Sequence, residues 1–317
     1  MKILVTRDIY KKYSDKIESY GYDVIYSQGK EVSKEDLEQV EVVLGNANVN
    51  WFKDMKNLKY VHLSSAGSDL FAALPELSEK VVLTNSTGGF SDSIAEWVIT
   101  MIYFFYKKIG SYYLNQKKHF YKNLGETRSI LGSKVLIIGC GSIGLAAAKR
   151  LKALGAYVTG VKRTVGEKPE YVDEMYTTDK VDELIPEADI IVLAMPQNDA
   201  TRHFMDSKRL NLIKNDSLLI NVGRGSAIDT AALIPLLKEK KFNAALDVHE
   251  VEPLDENSEL WDMENVLITP HATGNETMEH TRKVLCDLMI ENLDAYMNNK
   301  PLKNVVDFKT GYKVSNS

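Results

Sequence analysis

Short apolar runs alternate with amphipathic stretches along the first third of the chain. The runs Lys2–Thr6, Asp23–Tyr26, Glu41–Leu44, Tyr60–Leu63 and Val81–Thr84 read as strands, and the segments Lys11–Tyr20 and Lys34–Gln39 between them carry a helical period. That alternation predicts a small parallel sheet with helices on both faces. A second series follows at Lys134–Ile138, Tyr157–Val161, Asp189–Ala194, Ser217–Val222, Asn243–Val248 and Val266–Thr269. Most of these are continuously apolar, as parallel strands covered on both faces must be. Between the two series, Ser91 to about Tyr113 reads as one long helix that is apolar nearly all round. Such a helix has to be buried on several sides, by bridging two domains, by packing on a second subunit, or by both. A last amphipathic helix, about Glu276 to Met297, returns the chain to the first domain.

The pattern therefore predicts an α/β protein of two Rossmann-like or flavodoxin-like domains with parallel sheets. The second domain, residues 99–288, is inserted into the first, residues 1–98 plus 289–317. A length of 317 residues suffices for two cores. With 44% hydrophobic and 26% charged residues the chain is an ordinary globular one, and a net charge of −5 argues against a nucleic-acid or membrane-surface partner. No apolar run approaches the roughly 20 residues of a membrane span, and the first residues lack the layout of a signal peptide. Two cysteines, Cys140 and Cys286, give neither a disulfide framework nor a metal cluster. These features fit a cytoplasmic protein. The polar last dozen residues are expected to fray.

The most informative motif is Gly139-Cys140-Gly141-Ser142-Ile143-Gly144, placed after an apolar strand and at the start of a helix running to Leu154. Glycines there allow a tight turn, close approach of the backbone to a pyrophosphate, and close packing of helix on strand. The phosphates would sit on the amides and the positive dipole end of that helix. Dinucleotide binding follows. An NAD site usually has a carboxylate about 20 residues further on, for the ribose 2′-hydroxyl. This chain has Lys162-Arg163-Thr164 instead, two cations and a hydroxyl suited to a 2′-phosphate. NADP is the expected cofactor, with NAD the alternative.

Three later loops carry candidate chemistry. Asn221-Val222-Gly223-Arg224-Gly225 sets an arginine between glycines, and a guanidinium fork matches a carboxylate. Asp247-Val248-His249-Glu250-Val251-Glu252-Pro253-Leu254 supplies acids, and Thr269-Pro270-His271-Ala272-Thr273-Gly274 a histidine. Each alone could be a surface feature. In an open α/β sheet, however, loops at the carboxyl ends of the strands line the ligand crevice, so the three can converge.

Taken in order, GxGxxG, Asn-Val-Gly-Arg-Gly, Ala-Leu-Asp-Val with Glu-Pro-Leu, and Thr-Pro-His resemble the D-isomer-specific 2-hydroxyacid dehydrogenases, as does Ile94-Ala95-Glu96. The resemblance spans the chain from the Ser64–Asp69 loop to the His271 loop. It implies a substrate-binding first domain and an NAD(P)-binding second one. It implies that Arg224 holds the substrate carboxylate and polarises the carbonyl, that His271 is the acid–base group, and that Glu252 orients it and favours its protonated form. Asp247 would bond the nicotinamide carboxamide, and Pro196, after Met195, would pack near the adenosine ribose. Val222 and Gly274 would complete the cofactor pocket. Ser65, Ala66 and Gly67 would receive the substrate carboxylate on backbone amides. A homodimer is expected.

The loop Gly45-Asn46-Ala47-Asn48-Val49 has asparagines where family members acting on 3-phosphoglycerate commonly carry an arginine. This favours a small unphosphorylated 2-keto acid of the glyoxylate or hydroxypyruvate kind over a 3-phosphoglycerate dehydrogenase. A cofactor-sensing binding protein of corepressor type would keep the same arginine, glutamate and histidine and is the competing class. A formate dehydrogenase would have no use for an acid–base histidine. His62, His119, His203, His249 and His280 read as structural or surface residues, and the basic, aromatic stretch Tyr112–Lys122 as an interdomain or subunit-contact surface.

Overall fold

A computed structural model describes residues 1–27, 29–77, 80–164, 166–309 and 311–313. The chain divides into two compact units, residues 1–90 with 276–317 and residues 91–275. The expected boundaries at 98 and 288 are thus displaced. The helix Ser91–Tyr106 belongs wholly to the second unit and the helix Glu279–Met297 wholly to the first.

In the first unit, β1 (Lys2–Val5), β2 (Asp23–Tyr26), β3 (Val40–Leu44), β4 (Tyr60–His62) and β5 (Val82–Thr84) form one parallel sheet in the order β2-β1-β3-β4-β5. Alternate residues face opposite sides, and both sides are covered. Ile3, Val5, Val42, Leu44 and Tyr60 pack with Cys286, Met289 and Leu293 of the returning helix. Leu4, Val43, Val61 and Leu83 pack with Phe52, Phe71 and Leu77 on the other side. Val306–Asp307 pairs antiparallel with Tyr312–Lys313, so part of the tail expected to fray is a small hairpin; residues 314–317 lie outside the described residues.

The second unit holds β6 (Lys134–Ile138), β7 (Tyr157–Val161), β8 (Glu174–Tyr176), β9 (Ile190–Leu193), β10 (Leu218–Asn221), β11 (Asn243–Leu246) and β12 (Val266–Ile268), all parallel, in the order β12-β11-β10-β9-β6-β7-β8. The direction of winding reverses between β6 and β9, and the crevice beyond such a reversal is where open α/β sheets bind ligands. The strand β8 escaped sequence reading. It is a three-residue edge strand, half-buried throughout, and edge strands do not need the apolar run of a central one.

The apolar stretch after Ser91 is two helices, Ser91–Tyr106 and Ile109–Lys117, rather than one. Lys108 takes a left-handed conformation (φ 54°), and the Phe104 ring lies so close over Gly110 that a Cβ there would come within 2.5 Å of it. The first helix buries Ile94, Ala95, Val98, Met101, Ile102 and Tyr106, whereas the second buries none of its residues. Among the described residues no helix is long and apolar enough to cross a membrane.

Candidate active site

The dinucleotide cradle is built where β6 meets the helix Ser142–Ala153. Gly139 has φ +106°, and a Cβ on it would lie 2.6–2.8 Å from the backbone of Ala194 and Met195 at the exit of β9. From the far side, a Cβ on Gly223 would meet the Met195 backbone at 2.6 and 2.8 Å. Only glycine lets three strand ends close together in this way. Gly144 is shut in by the backbone of Gly139. Gly141 differs: nothing lies within 4 Å of a Cβ placed there. It is the N-cap of the helix, and no side chain caps the first turn. An open glycine in front of uncapped amides, at the positive end of a twelve-residue helix, fits a pyrophosphate.

The other residues expected around the cofactor fall into three groups. Met195 and Val222 are buried, 6% and 5% exposed. Lys162 is half-buried, and Arg163 and Thr164 are exposed just past β7. Neither cation forms an ion pair among the described residues. Pro196 is exposed, and its carbonyl accepts from Thr201 Oγ1 at 2.6 Å. Ser142, Ile143 and Gly274 remain partly or fully accessible.

Arg224 is held by the turn that carries it. Asn221, fully buried at the end of β10, donates through Nδ2 to the Arg224 carbonyl (3.0 Å) and accepts from the Gly223 N–H (3.1 Å). The guanidinium Nη1 donates to the Gly223 carbonyl at 3.1 Å. Gly225 lies against the His249–Glu250 backbone with no room for a Cβ, which couples the arginine turn to the loop after β11.

His271 and Glu252 come together. The His271 Nδ1 lies 2.8 Å from Glu252 Oε2, and the Glu252 Oε1 accepts the His249 N–H at 2.9 Å. With Nδ1 facing the carboxylate, Nε2 is the nitrogen left to act on a ligand. Burial works to raise the Glu252 carboxyl, but the bonds from His271 and from the His249 amide outweigh it and hold the group below the usual carboxylate range. Burial lowers His249, whose Nε2 lies 3.4 Å from the Thr269 carbonyl.

Asp247, 2% exposed, is bonded to the loop that follows β12. Its Oδ1 accepts from Thr269 Oγ1 (2.6 Å) and the Ala272 N–H (2.9 Å), and its Oδ2 from the Thr273 N–H (3.3 Å) and Oγ1 (2.5 Å). Its carbonyl accepts the His271 N–H at 2.8 Å. These four bonds use the acceptor directions of a carboxylate, so Asp247 organises the loop that carries His271. Asn221, Thr269 and Thr273 were not singled out in the sequence, although all three stand inside the motifs quoted above.

In the first unit, the carbonyls of the loop after β4 are taken up by bonds within the unit. The Ser65 carbonyl accepts from the Ser86 N–H (2.9 Å), the Ala66 carbonyl from Asn85 Nδ2 (2.8 Å), and the Gly67 carbonyl from Ser65 Oγ (2.7 Å). Asn46 Oδ1 takes the N–H of Ser64 (3.0 Å) and of Ser65 (3.4 Å). The N–H groups of Ala66 and Gly67 make no hydrogen bond within the described residues.

A doubly wound sheet with a phosphate cradle at its switch point, and a histidine–carboxylate pair on the loops of the same sheet, defines an NAD(P)-dependent dehydrogenase. Residues 99–273 match the NAD binding domain of the D-isomer specific 2-hydroxyacid dehydrogenases. The chain is 33% identical over 271 residues to glyoxylate/hydroxypyruvate reductase A of Arabidopsis thaliana, across 83% of this chain and 84% of that protein. A D-isomer specific 2-hydroxyacid dehydrogenase from Xanthobacter autotrophicus Py2, solved in complex with NADPH and MES, is similar at 28% identity and a TM-score of 0.82, over 98% and 99% of the two chains. The NADPH-dependent glyoxylate/hydroxypyruvate reductase of Sinorhizobium meliloti, solved with NADP and sulfate, is similar at 25% identity and a TM-score of 0.81, over the same shares. The chain belongs to the D-isomer specific 2-hydroxyacid dehydrogenase family. It is an NAD(P)-binding 2-hydroxyacid dehydrogenase.

Proposed function

We propose that this enzyme reduces a small unphosphorylated 2-keto acid, of the glyoxylate or hydroxypyruvate kind, to the D-2-hydroxy acid at the expense of NADPH. The observation that carries the reading is the 2.8 Å pair of His271 and Glu252, set in the same unit as the open glycine cradle. NADPH held by its pyrophosphate at Gly141 and the first turn of the helix Ser142–Ala153 would supply the hydride. His271 donates the Nε2 proton to the carbonyl oxygen as negative charge develops there, and Arg224 stabilises that charge while holding the substrate carboxylate. Glu252 keeps the imidazolium paired on its Nδ1 side. In the first unit, the unbonded amides of Ala66 and Gly67 are assigned to binding a substrate carboxylate. In the reverse direction neutral His271 takes the hydroxyl proton.

The unpaired cations of Lys162 and Arg163 beside the Thr164 hydroxyl support NADP over NAD. The asparagines of the Asn46 loop support a substrate without phosphate. Exposure of Tyr103, Ile109, Tyr113, Leu114, Phe120, Tyr121 and Leu131 along one stretch supports a homodimer. The test is loss of NADPH absorbance with glyoxylate and with hydroxypyruvate, repeated with NADH and with His271→Ala. NADPH should be favoured at least about tenfold in kcat/KM, and the alanine variant should lose roughly 10²–10⁴-fold in turnover while still binding NADPH. Full turnover by folded His271→Ala would refute the mechanism.

A further inference from the structure

We propose that Asn46 is a positioning residue that sets the carboxylate selectivity of the Ser65–Gly67 loop. The proposal rests on the reading above that the Ala66 and Gly67 amides take the substrate carboxylate. Asn46 reaches its place through Gly45, which ends β3 at φ +107° and donates its N–H to the His62 carbonyl at 2.7 Å. A Cβ on Gly45 would strike Thr6 Oγ1 and lie 2.7 Å from the Arg7 stem, so the turn that swings Asn46 over the exit of β4 needs glycine.

The amide side chain then serves both ends of the loop. Oδ1 accepts from the Ser64 N–H (3.0 Å), the Ser64 Oγ (3.2 Å) and the Ser65 N–H (3.4 Å), while Nδ2 donates to Ser65 Oγ (3.1 Å). Ser65 Oγ donates its own hydrogen bond to the Gly67 carbonyl at 2.7 Å. Two of the four successive amides are thereby consumed and the last carbonyl is turned away, which leaves the Ala66 and Gly67 N–H groups as an isolated pair. A neutral side chain does this without adding charge beside an anion. An aspartate could accept the same amides, but it would repel the substrate; an alanine would release Ser64 and Ser65 and loosen the pair.

The experiment compares Asn46→Ala and Asn46→Asp with the unmodified enzyme. Steady-state reduction by NADPH is measured with hydroxypyruvate and with its uncharged methyl ester, alongside the NADPH dissociation constant and the melting temperature. The Asn46 side chain is exposed, so neither variant opens the core. Release of the Ser64 and Ser65 amides should raise KM for the acid roughly tenfold in Asn46→Ala. Its kcat should stay within about threefold and NADPH binding should be unchanged. The preference for acid over ester in kcat/KM should fall by about the same factor, and further in Asn46→Asp, where added salt should restore part of it. Equal losses on acid and ester, or an unchanged preference in both variants, would overturn the proposal. An unmodified enzyme inert toward every 2-keto acid with NADPH would overturn the reading of the site beneath it.

Discussion

Replacing Glu252 by glutamine keeps the shape of the side chain and removes half of its accepting capacity. The carboxylate serves two donors with two oxygens, His249 N–H on Oε1 and His271 Nδ1 on Oε2. Glutamine has one acceptor oxygen and an NH2 group. If the oxygen keeps the His249 amide, the NH2 faces His271 Nδ1 and can only donate to it, which excludes the doubly protonated imidazolium. If the oxygen turns to His271, two N–H groups oppose each other at His249. A hydrogen bond to a charged group is worth about 1.5–3 kcal/mol. With Glu252 36% and His271 50% exposed, solvent screening reduces this to about half. The expected cost is about 0.8–1.5 kcal/mol in the reduction transition state, or roughly four- to thirteenfold in kcat/KM. Because reduction uses the imidazolium on the Glu252 carboxylate, it should lose this factor, whereas oxidation, which uses neutral imidazole, should lose less. The assay is the pH profile of kcat/KM in both directions for Glu252→Gln. Profiles that overlay the unmodified enzyme within twofold in both directions would refute the reasoning.

Gly141→Ala places a methyl group where the fold leaves open space, so the melting temperature should hold while the NADPH dissociation constant rises at least about tenfold. Isothermal titration would read this directly, and unchanged affinity would remove Gly141 from the cradle. Arg163→Ala should erode the NADPH preference in kcat/KM with little effect on NADH; an intact preference would place the 2′-phosphate elsewhere. Burial drives His62 down to about 3 from an ordinary value of 6.5, so it stays neutral in the fold and protonates first in the unfolded chain. Its contribution to stability is therefore complete above about pH 6.5 and shrinks as pH falls toward 3. Urea melts at pH 7 and pH 5 should show a smaller acid loss in His62→Gln than in the unmodified protein, and identical losses would discount this histidine.

Much of this architecture was legible because parallel strands announce themselves. The strands β6, β9 and β10 are apolar apart from Lys134 and Asn221 at their ends, and the glycines after β6 and β10 sit where three strand ends converge. What the sequence could not convey was partnership. The apolar run after Ser91 looked like one helix because composition does not reveal the left-handed turn at Lys108 or the ring of Phe104 over Gly110. Likewise β8, half-buried at a sheet edge, had no pattern to betray it. The residues of the site were visible as types in motifs. The preoccupation of Asp247 with four donors, the hold of Asn221 on the arginine turn and the grip of Asn46 on the loop after β4 are relations across 3 to 26 positions in sequence, and periodicity carries none of them.

The saturation of Asp247 has a consequence for how this enzyme can change. His271 follows β12, the outermost strand of its sheet, yet its loop is fastened to a carboxylate at the end of β11, the neighbour further in, and Glu252 hangs from the loop after that same inner strand. Both members of the pair therefore take their bearings from one anchor. The outer strand acts as a tether whose sequence can drift without detuning proton transfer, and heritable variation in β12 should be tolerated more readily than any exchange at position 247.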